Sequence, residues 1–250
     1  MSFVSLPPTD FDERIVPDET EKGIVSAHLK RYVFAGQFSR SKQVLDAACG
    51  VGYGTYYLAS SAERVFGVDR SQEAISYAQK RYSHPRAVYM AMDASALTFD
   101  DQSFDVVCSF ETIEHLTDAQ AHLESVRRVL KKNGLYLVST PYVRQTTNSP
   151  GNSFHVQEWS PGDFEKLLGG HFALVRLYGQ KRRQTVLHRL LQKADVLNLR
   201  SKIRLPSLSR TLAQVVRTTP FQDMGLEDLE IVENNFKGAL WTIGVCSGPK

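Results

Sequence analysis

Two spacings of apolar residues alternate along the chain. Short apolar runs of strand character fall at about 43–48, 64–69, 86–91, 106–110, 135–140, 172–178 and 239–246. Between them the apolar positions recur every three to four residues, the helical period. One such stretch runs over about 52–61. A second, over about 71–82, places Ala74, Ile75 and Ala78 inward behind the cap residue Ser71. A third runs from Leu116 through Leu123 and Val126 to Leu130, with Thr117-x-x-Gln120 as a capping box and Asn133-Gly134 as its stop. Pro141 halts the fifth strand, and after a polar loop over 143–155 Ser160 caps a helix to about Leu168. Upstream, Ile24, Ala27, His28, Tyr32 and Phe34 or Ala35 predict a helix over 20–38, capped by Thr20 and stopped near Gly36.

This alternation predicts an α/β fold: a doubly wound, mostly parallel, seven-stranded sheet with right-handed crossovers. About sixty residues separate the last two strands. They read as a helical insertion over about 181–235 within a domain spanning 41–250, preceded by an N-terminal segment and helix at 1–40. Val186, Leu187, Leu190, Leu191, Val196 and Leu197 make part of the insertion amphipathic. Between Arg176 and Arg217 there are eleven Lys or Arg against one acid, Asp195.

The first strand carries the chemistry. Val44-Leu45-Asp46-Ala47-Ala48-Cys49-Gly50-Val51-Gly52-Tyr53-Gly54 runs from an apolar strand into a glycine-rich turn and then a helix. Such a turn lets a ligand approach the backbone at the carboxyl edge of a parallel sheet. Asp46 precedes the glycines, where a phosphate binder would avoid a carboxylate, so the ligand is expected to carry a cationic amino-acid end. Asp69 closes the second strand, the place of an acid that holds a ribose diol.

These residues resemble the first motif of the class I S-adenosylmethionine (SAM)-dependent methyltransferases, with Ala48 where that family usually has Gly. The resemblance runs from about Ser41 to Ser139. It implies a Rossmann-like sheet with an antiparallel last strand, an N-terminal helix that closes as a lid, and SAM as cofactor. The cofactor-binding residues it implies are Asp46, Ala48, Gly50, Gly52, Tyr32, Asp69, Arg70, Asp93, Ala94 and Glu111. Asp93 would accept from the adenine amine; it also reads as an ordinary turn residue. The lid helix equally reads as a packing helix.

A second constellation follows the fourth strand: Glu111-Thr112-Ile113-Glu114-His115, with Phe154-His155-Val156-Gln157-Glu158-Trp159 further on. Two carboxylates and an imidazole can hold Mg²⁺ or another divalent ion. The pattern resembles metal-dependent O-methyltransferases of ubiquinone biosynthesis and of small-RNA 2′-O-methylation. That resemblance implies the ligand set Glu111, Glu114, His115 and His155. The same residues also suit a metal-free pocket, and Glu158 and Trp159 also suit the start of a helix. An alcohol acceptor needs a base, such as His115 or His155, or a metal that lowers its pKa.

Composition narrows the classes further. The net charge of +3 is too small to argue for nucleic acid by itself, and no run approaches a membrane span. Cys49, Cys108 and Cys246 lack paired spacing, which predicts reduced thiols and a cytoplasmic protein, and the first residues lack a signal-peptide pattern. The sequence points to a SAM-dependent methyltransferase acting on a small-molecule or glycan hydroxyl. RNA, suggested by the basic insertion, is the second acceptor class. A nicotinamide-dependent oxidoreductase is disfavoured by Asp46 and Ala48. A non-catalytic SAM-binding protein is a further alternative.

Overall fold

β1, Gln43–Ala47, is buried along nearly its whole length, as expected of a strand covered on both faces. It is the middle one of five parallel strands in this computed structural model, which describes residues 14–183 and 220–250. β2 (Arg64–Asp69) and β4 (Phe104–Phe110) pair parallel on either side of it. β3 (Ala87–Ala91) extends one edge, and β5 (Leu130–Pro141) continues the parallel order beside β4. Three antiparallel pairings then follow, among β8 (Ala239–Pro249), β6 (Phe172–Arg182) and β7 (Leu229–Glu233). The order is β3-β2-β1-β4-β5-β8-β6-β7. The doubly wound sheet and the antiparallel last strand are as expected, but the sheet has eight strands, not seven. The extra one lies within the span predicted as a helical insertion. Leu229-Glu230-Ile231 alternates apolar and polar, and β6 offers it an open edge to pair with. The amphipathic stretch Val186–Leu197 and seven of the eleven cations lie outside the described residues.

Helices α2 (Tyr53–Ala59), α3 (Gln72–Arg81), α4 (Ala119–Val129) and α5 (Pro161–His171) join the strands. Ser71 and Ser160 cap α3 and α5 as predicted, accepting from the backbone N–H of Ala74 and Asp163. Asp118, not Thr117, caps α4, through the N–H of Ala121. Asn133-Gly134 does not stop α4; the helix ends at Val129 and both residues lie in β5, whose pairing with β4 shifts register between Phe104 and Val106.

α1 (Lys22–Ser39) precedes the sheet and packs across α2 and the end of β4. Thr20 is not its cap: its Oγ1 accepts from the N–H of Val16, and Glu21 stands at the N-cap position without a side-chain bond. Gly36 does not stop α1, which runs on to Ser39. The docking of α1 depends on Gly54, because a Cβ there would lie 2.0 Å from the ring of Tyr32. Gly52 has φ +90° and faces the Cβ of Ala78 at 2.6 Å, so it too admits no side chain.

Two glycine substitutions should therefore move stability in opposite directions. Gly54→Ala overpacks the α1–α2 contact and is expected to cost about 1–3 kcal/mol. Gly36→Ala meets only an ordinary contact, 3.5 Å to the ring of Tyr57, and is expected to stabilise by up to about 1 kcal/mol. Thermal and denaturant unfolding of the two variants measures both.

Candidate functional site

The turn after β1 is built from three residues with positive φ: Ala48 at +65°, Gly50 at +54° and Gly52 at +90°. Ala48 holds a left-handed conformation that costs a non-glycine residue free energy. The turn is tied to the tip of β2, where Cys49 N–H donates to the carbonyl of Val68 and Gly50 N–H donates to Asp69 Oδ2 at 3.0 Å. The other carboxylate oxygen of Asp69 accepts from Ser71 N–H at 2.9 Å and from the guanidinium of Arg14 at 3.3 Å. Arg70, next to it, is exposed.

Asp46 is fully buried, and both of its oxygens are engaged. Tyr32 Oη donates to one at 3.0 Å and Thr55 Oγ1 to the other at 2.6 Å. Burial lifts its pKa to about 6, and the two hydroxyl donors hold it from rising further. Asp46 therefore binds α1 and α2 to β1. Tyr32, placed by sequence at the cofactor, reaches Asp46 from the lid helix.

Two more α1 side chains face the same edge. His28 Nδ1 accepts from Tyr53 Oη at 2.5 Å, while burial and then Arg31 hold its pKa well below the usual imidazole value. Arg31 is 1% exposed and donates to Gln180 Oε1 at 2.9 Å. Its guanidinium lies 3.8 Å from Glu111 Oε1 and 5.0 Å from the ring centre of Trp241. Its Nε has no hydrogen-bond partner among the described residues.

After β3, Asp93 is exposed and its Oδ1 accepts from Ser95 N–H at 2.7 Å, a side-chain turn. Ala94 beside it is buried. After β4, Glu111 adopts φ +53°, and Ser139 Oγ donates to its Oε1 at 2.6 Å. That conformation turns Glu111 away from its neighbours in sequence. Glu114, His115 and His155 do come together: each offers one ligand atom, and these lie within 4.8 Å of one another. Glu111 is outside this group, which corrects the four-ligand expectation.

Within the group, the Phe154 carbonyl holds His115 Nδ1–H at 3.1 Å, which makes Nε2 the basic nitrogen. His155 Nδ1–H donates to Glu158 Oε1 at 2.6 Å, and its Nε2 accepts from the amide of Asn152 at 3.1 Å. Glu158 thus orients an imidazole and pairs with the backbone of Thr147; it does not begin α5. Trp159 is buried in the core. Glu114 is completely buried, and neither carboxylate oxygen has a hydrogen-bond partner among the described residues. Burial, then the charge of Glu111, pushes its pKa well above the carboxylate range.

Thr55, Ser139 and Asn152 were not singled out by the sequence. Arg31, which with Tyr32 resembles a cofactor-lid residue of the family and equally reads as a solvated charge on a packing helix, lies on the buried stripe of α1 that also holds Ala27, His28, Tyr32 and Ala35. Cys49, Cys108 and Cys246 are free thiols and buried. Among the described residues no helix is long and apolar enough to cross a membrane.

The buried acid gives stability a pH signature. Asp46 is protonated in both folded and unfolded chains below about pH 4, so its contribution is full there. It is lost as pH rises through about 6, because the fold resists ionisation that the unfolded chain accepts. A displacement of about two pH units is worth about 3 kcal/mol. The Tm of the wild type minus that of Asp46→Asn should therefore fall between pH 4 and 6.5 and level off above.

Residues 45–138 match a methyltransferase domain family. Over 162 residues the chain is 35% identical to the "Probable S-adenosylmethionine-dependent methyltransferase" of Mycobacterium tuberculosis strain H37Rv, covering 62% of this chain and 58% of that protein. It is 28% identical over 216 residues to phosphoethanolamine N-methyltransferase of Triticum aestivum, covering 84% of this chain and 40% of that one. The chain thus spans less than two thirds of these relatives. A SAM-dependent methyltransferase from Thermotoga maritima shares the fold, with a TM-score of 0.60 at 15% identity over 90% of this chain and 91% of that one. The glycine turn, both strand-end acids and the Glu111–His115 segment all fall inside the stretch, residues 45–138, that matches the methyltransferase domain family.

Proposed function

We propose that the protein transfers the methyl group of SAM to a hydroxyl of a small molecule or glycan. The observation that carries the acceptor half is the His115–His155 pair, with ring centres 4.7 Å apart, beside Glu114 and oriented by Glu158 and the Phe154 carbonyl.

The residues present fit SAM. A Cβ built on Gly50 would meet nothing within 4 Å, so the turn opens onto space. Asp69 lies beside it, ready to accept from ribose hydroxyls once Arg14 gives way, and Asp93 is exposed where it can accept from an adenine amine. With Asp46 engaged by Tyr32 and Thr55, the amino-acid end falls to Arg31 and Glu111. Arg31 has an unpartnered Nε for a carboxylate, and Glu111 has an acid for an ammonium. When bound, SAM supplies an electrophilic methyl. The chain's part is alignment, worth several kcal/mol, and removal of the acceptor's proton. His115 Nε2 takes that proton in this reading, and Glu158 steadies the neighbouring imidazole.

A metal-assisted version is favoured by one observation, the buried Glu114 carboxylate with both oxygens unpartnered. Glu114, His115 and His155 would hold the ion, which would lower the pKa of a bound hydroxyl. One carboxylate with two imidazoles suits Mn²⁺, Fe²⁺ or Zn²⁺ better than Mg²⁺, which prefers oxygen ligands. RNA as acceptor draws less support. Among the described cations entering the basic segment, Lys181 lies 3.9 Å from Glu230 and Arg182 stacks on Phe221. The wheat relative's name points to an amine, an acceptor that needs less help than an alcohol.

Two experiments decide among these readings. Calorimetry should show S-adenosylhomocysteine binding to the wild type, a loss of at least about tenfold in Asp69→Ala, and a gain of up to about fivefold in Arg14→Gln, which frees Asp69 from a partly exposed ion pair. Absence of binding to the wild type would end the proposal. Methyl transfer should then be measured on phenols, nucleotide sugars, phosphoethanolamine and RNA, with and without chelator. The base reading expects hydroxyl activity that survives chelator and drops at least about a hundredfold in His115→Asn. The metal reading expects loss in chelator and rescue by Mn²⁺ or Zn²⁺. Activity on amines that ignores His115 would overturn both.

A further inference from the structure

One face of α4 grips the loop that follows β3. His122, Ser125 and Arg128 stand three residues apart, so their side chains line up along the helix. His122 Nδ1 lies 3.0 Å from the carbonyl of Ala94. A carbonyl can only accept, so the hydrogen is on Nδ1. Nε2 is then the acceptor for the hydroxyl of Tyr136, at 3.0 Å. Ser125 Oγ accepts from Leu97 N–H at 2.9 Å. Arg128 donates to the carbonyl of Leu97, to that of Phe99 at 2.7 Å and to Asp101 Oδ1 at 2.7 Å. Ala94, Leu97 and His122 are buried, while Asp93 at the head of the loop is exposed. Within the loop itself Asp93 accepts from the N–H groups of Ser95 and Ala96, and Met92 Sδ accepts weakly from Thr98. Nothing in the methyl-transfer chemistry calls for a neutral histidine sealed between a loop and a strand.

We infer that His122 and Ser125 are positioning residues for recognition of the purine, holding the Asp93–Leu97 backbone where Asp93 can read an exocyclic amine. The inference rests on the cofactor reading above. Neither residue touches the ligand. Their effect travels through two backbone hydrogen bonds, and it is specific to the base end of the site.

The side-chain geometry supplies the test. Asn places an N–H near the position of histidine Nδ1, whereas Gln reaches toward the position of Nε2. His122→Asn therefore keeps the bond to Ala94 and gives up Tyr136; His122→Gln does the reverse. Tyr136→Phe removes the hydroxyl alone and serves as a packing control. Binding of S-adenosylhomocysteine and of its hypoxanthine counterpart, S-inosylhomocysteine, should be measured by calorimetry for wild type, His122→Asn, His122→Gln, Ser125→Ala and Tyr136→Phe, alongside Tm and steady-state kinetics. The wild type should prefer the adenine ligand by about tenfold or more, the worth of one buried hydrogen bond. His122→Asn and Tyr136→Phe should keep that preference even if their Tm falls. His122→Gln and Ser125→Ala should lose most of it and raise KM for SAM, with kcat within about twofold of wild type. Equal selectivity in the Asn and Gln variants, or loss of kcat with unchanged KM, would overturn the inference while the cofactor reading stood. Should the His122 variants fail to fold, Ser125→Ala decides: full wild-type selectivity there overturns it. A wild type that binds neither ligand removes the cofactor reading and this inference together.

Discussion

A carboxylate buried on the central strand has to be answered by donors, and the answer given to Asp46 organises the site. Its two oxygens take hydroxyls from Tyr32 on α1 and Thr55 on α2, so one acid joins three elements. An unpaired acid there would cost several kcal/mol or stay protonated. Because Tyr32 must reach Asp46, its ring lies across the start of α2, and no side chain fits at position 54. Because α1 is fixed in this way, His28 and Arg31, four and one residues earlier on the helix, arrive at Tyr53 and Glu111. Placement of α1 thus follows from satisfying one buried charge.

That arrangement redistributes the roles that sequence assigns. An acid before a glycine turn reads as the partner of a ligand's ammonium. Here the acid accepts from two hydroxyls of the fold, and among the buried side-chain atoms left without partners in the described residues are Arg31 Nε on α1 and both carboxylate oxygens of Glu114 after β4. Buried groups with unmet hydrogen-bonding capacity ask for an explanation, and both lie at the edge where the first, second and fourth strands end. The opposing pull of Arg14 on Asp69 fits the same pattern. Arg14 of the N-terminal segment supplies charge to Asp69, the acid that the proposed function assigns to the ribose.

Much of this was legible in the order of residues. Short apolar runs and period-3.6 segments located the strands and helices because parallel strands are buried on both faces and their crossover helices on one. The caps Ser71 and Ser160 were readable because a serine hydroxyl before a helix has few other uses. Three features were not readable. Leu229–Glu233 is too short to stand out, and it becomes a strand only because the edge of β6 is there to receive it. Asn133-Gly134 carries a strong stop signal that pairing with β4 overrides. The separation of Glu111 from Glu114 depends on a left-handed backbone at Glu111 that Ser139, on the next strand, holds in place. Such effects come from contacts distant in sequence, which local patterns do not contain.

The two glutamates after β4 show how the fold assigns different work to similar residues. They are three positions apart, and two like charges at close range resist joint ionisation. The turn at Glu111 sends its side chain to donors, Ser139 and the guanidinium of Arg31. Glu114 is sent into a buried space near two imidazoles, with no hydrogen-bond partner for its carboxylate among the described residues. The second environment favours a neutral acid or a metal ligand. A cation-seeking group and a proton- or metal-seeking group are thereby set side by side at the end of one strand. A methyl transfer that must hold a zwitterionic donor and strip a proton from its acceptor needs this division, and a single left-handed residue between β4 and the turn at Ile113–His115 is enough to create it.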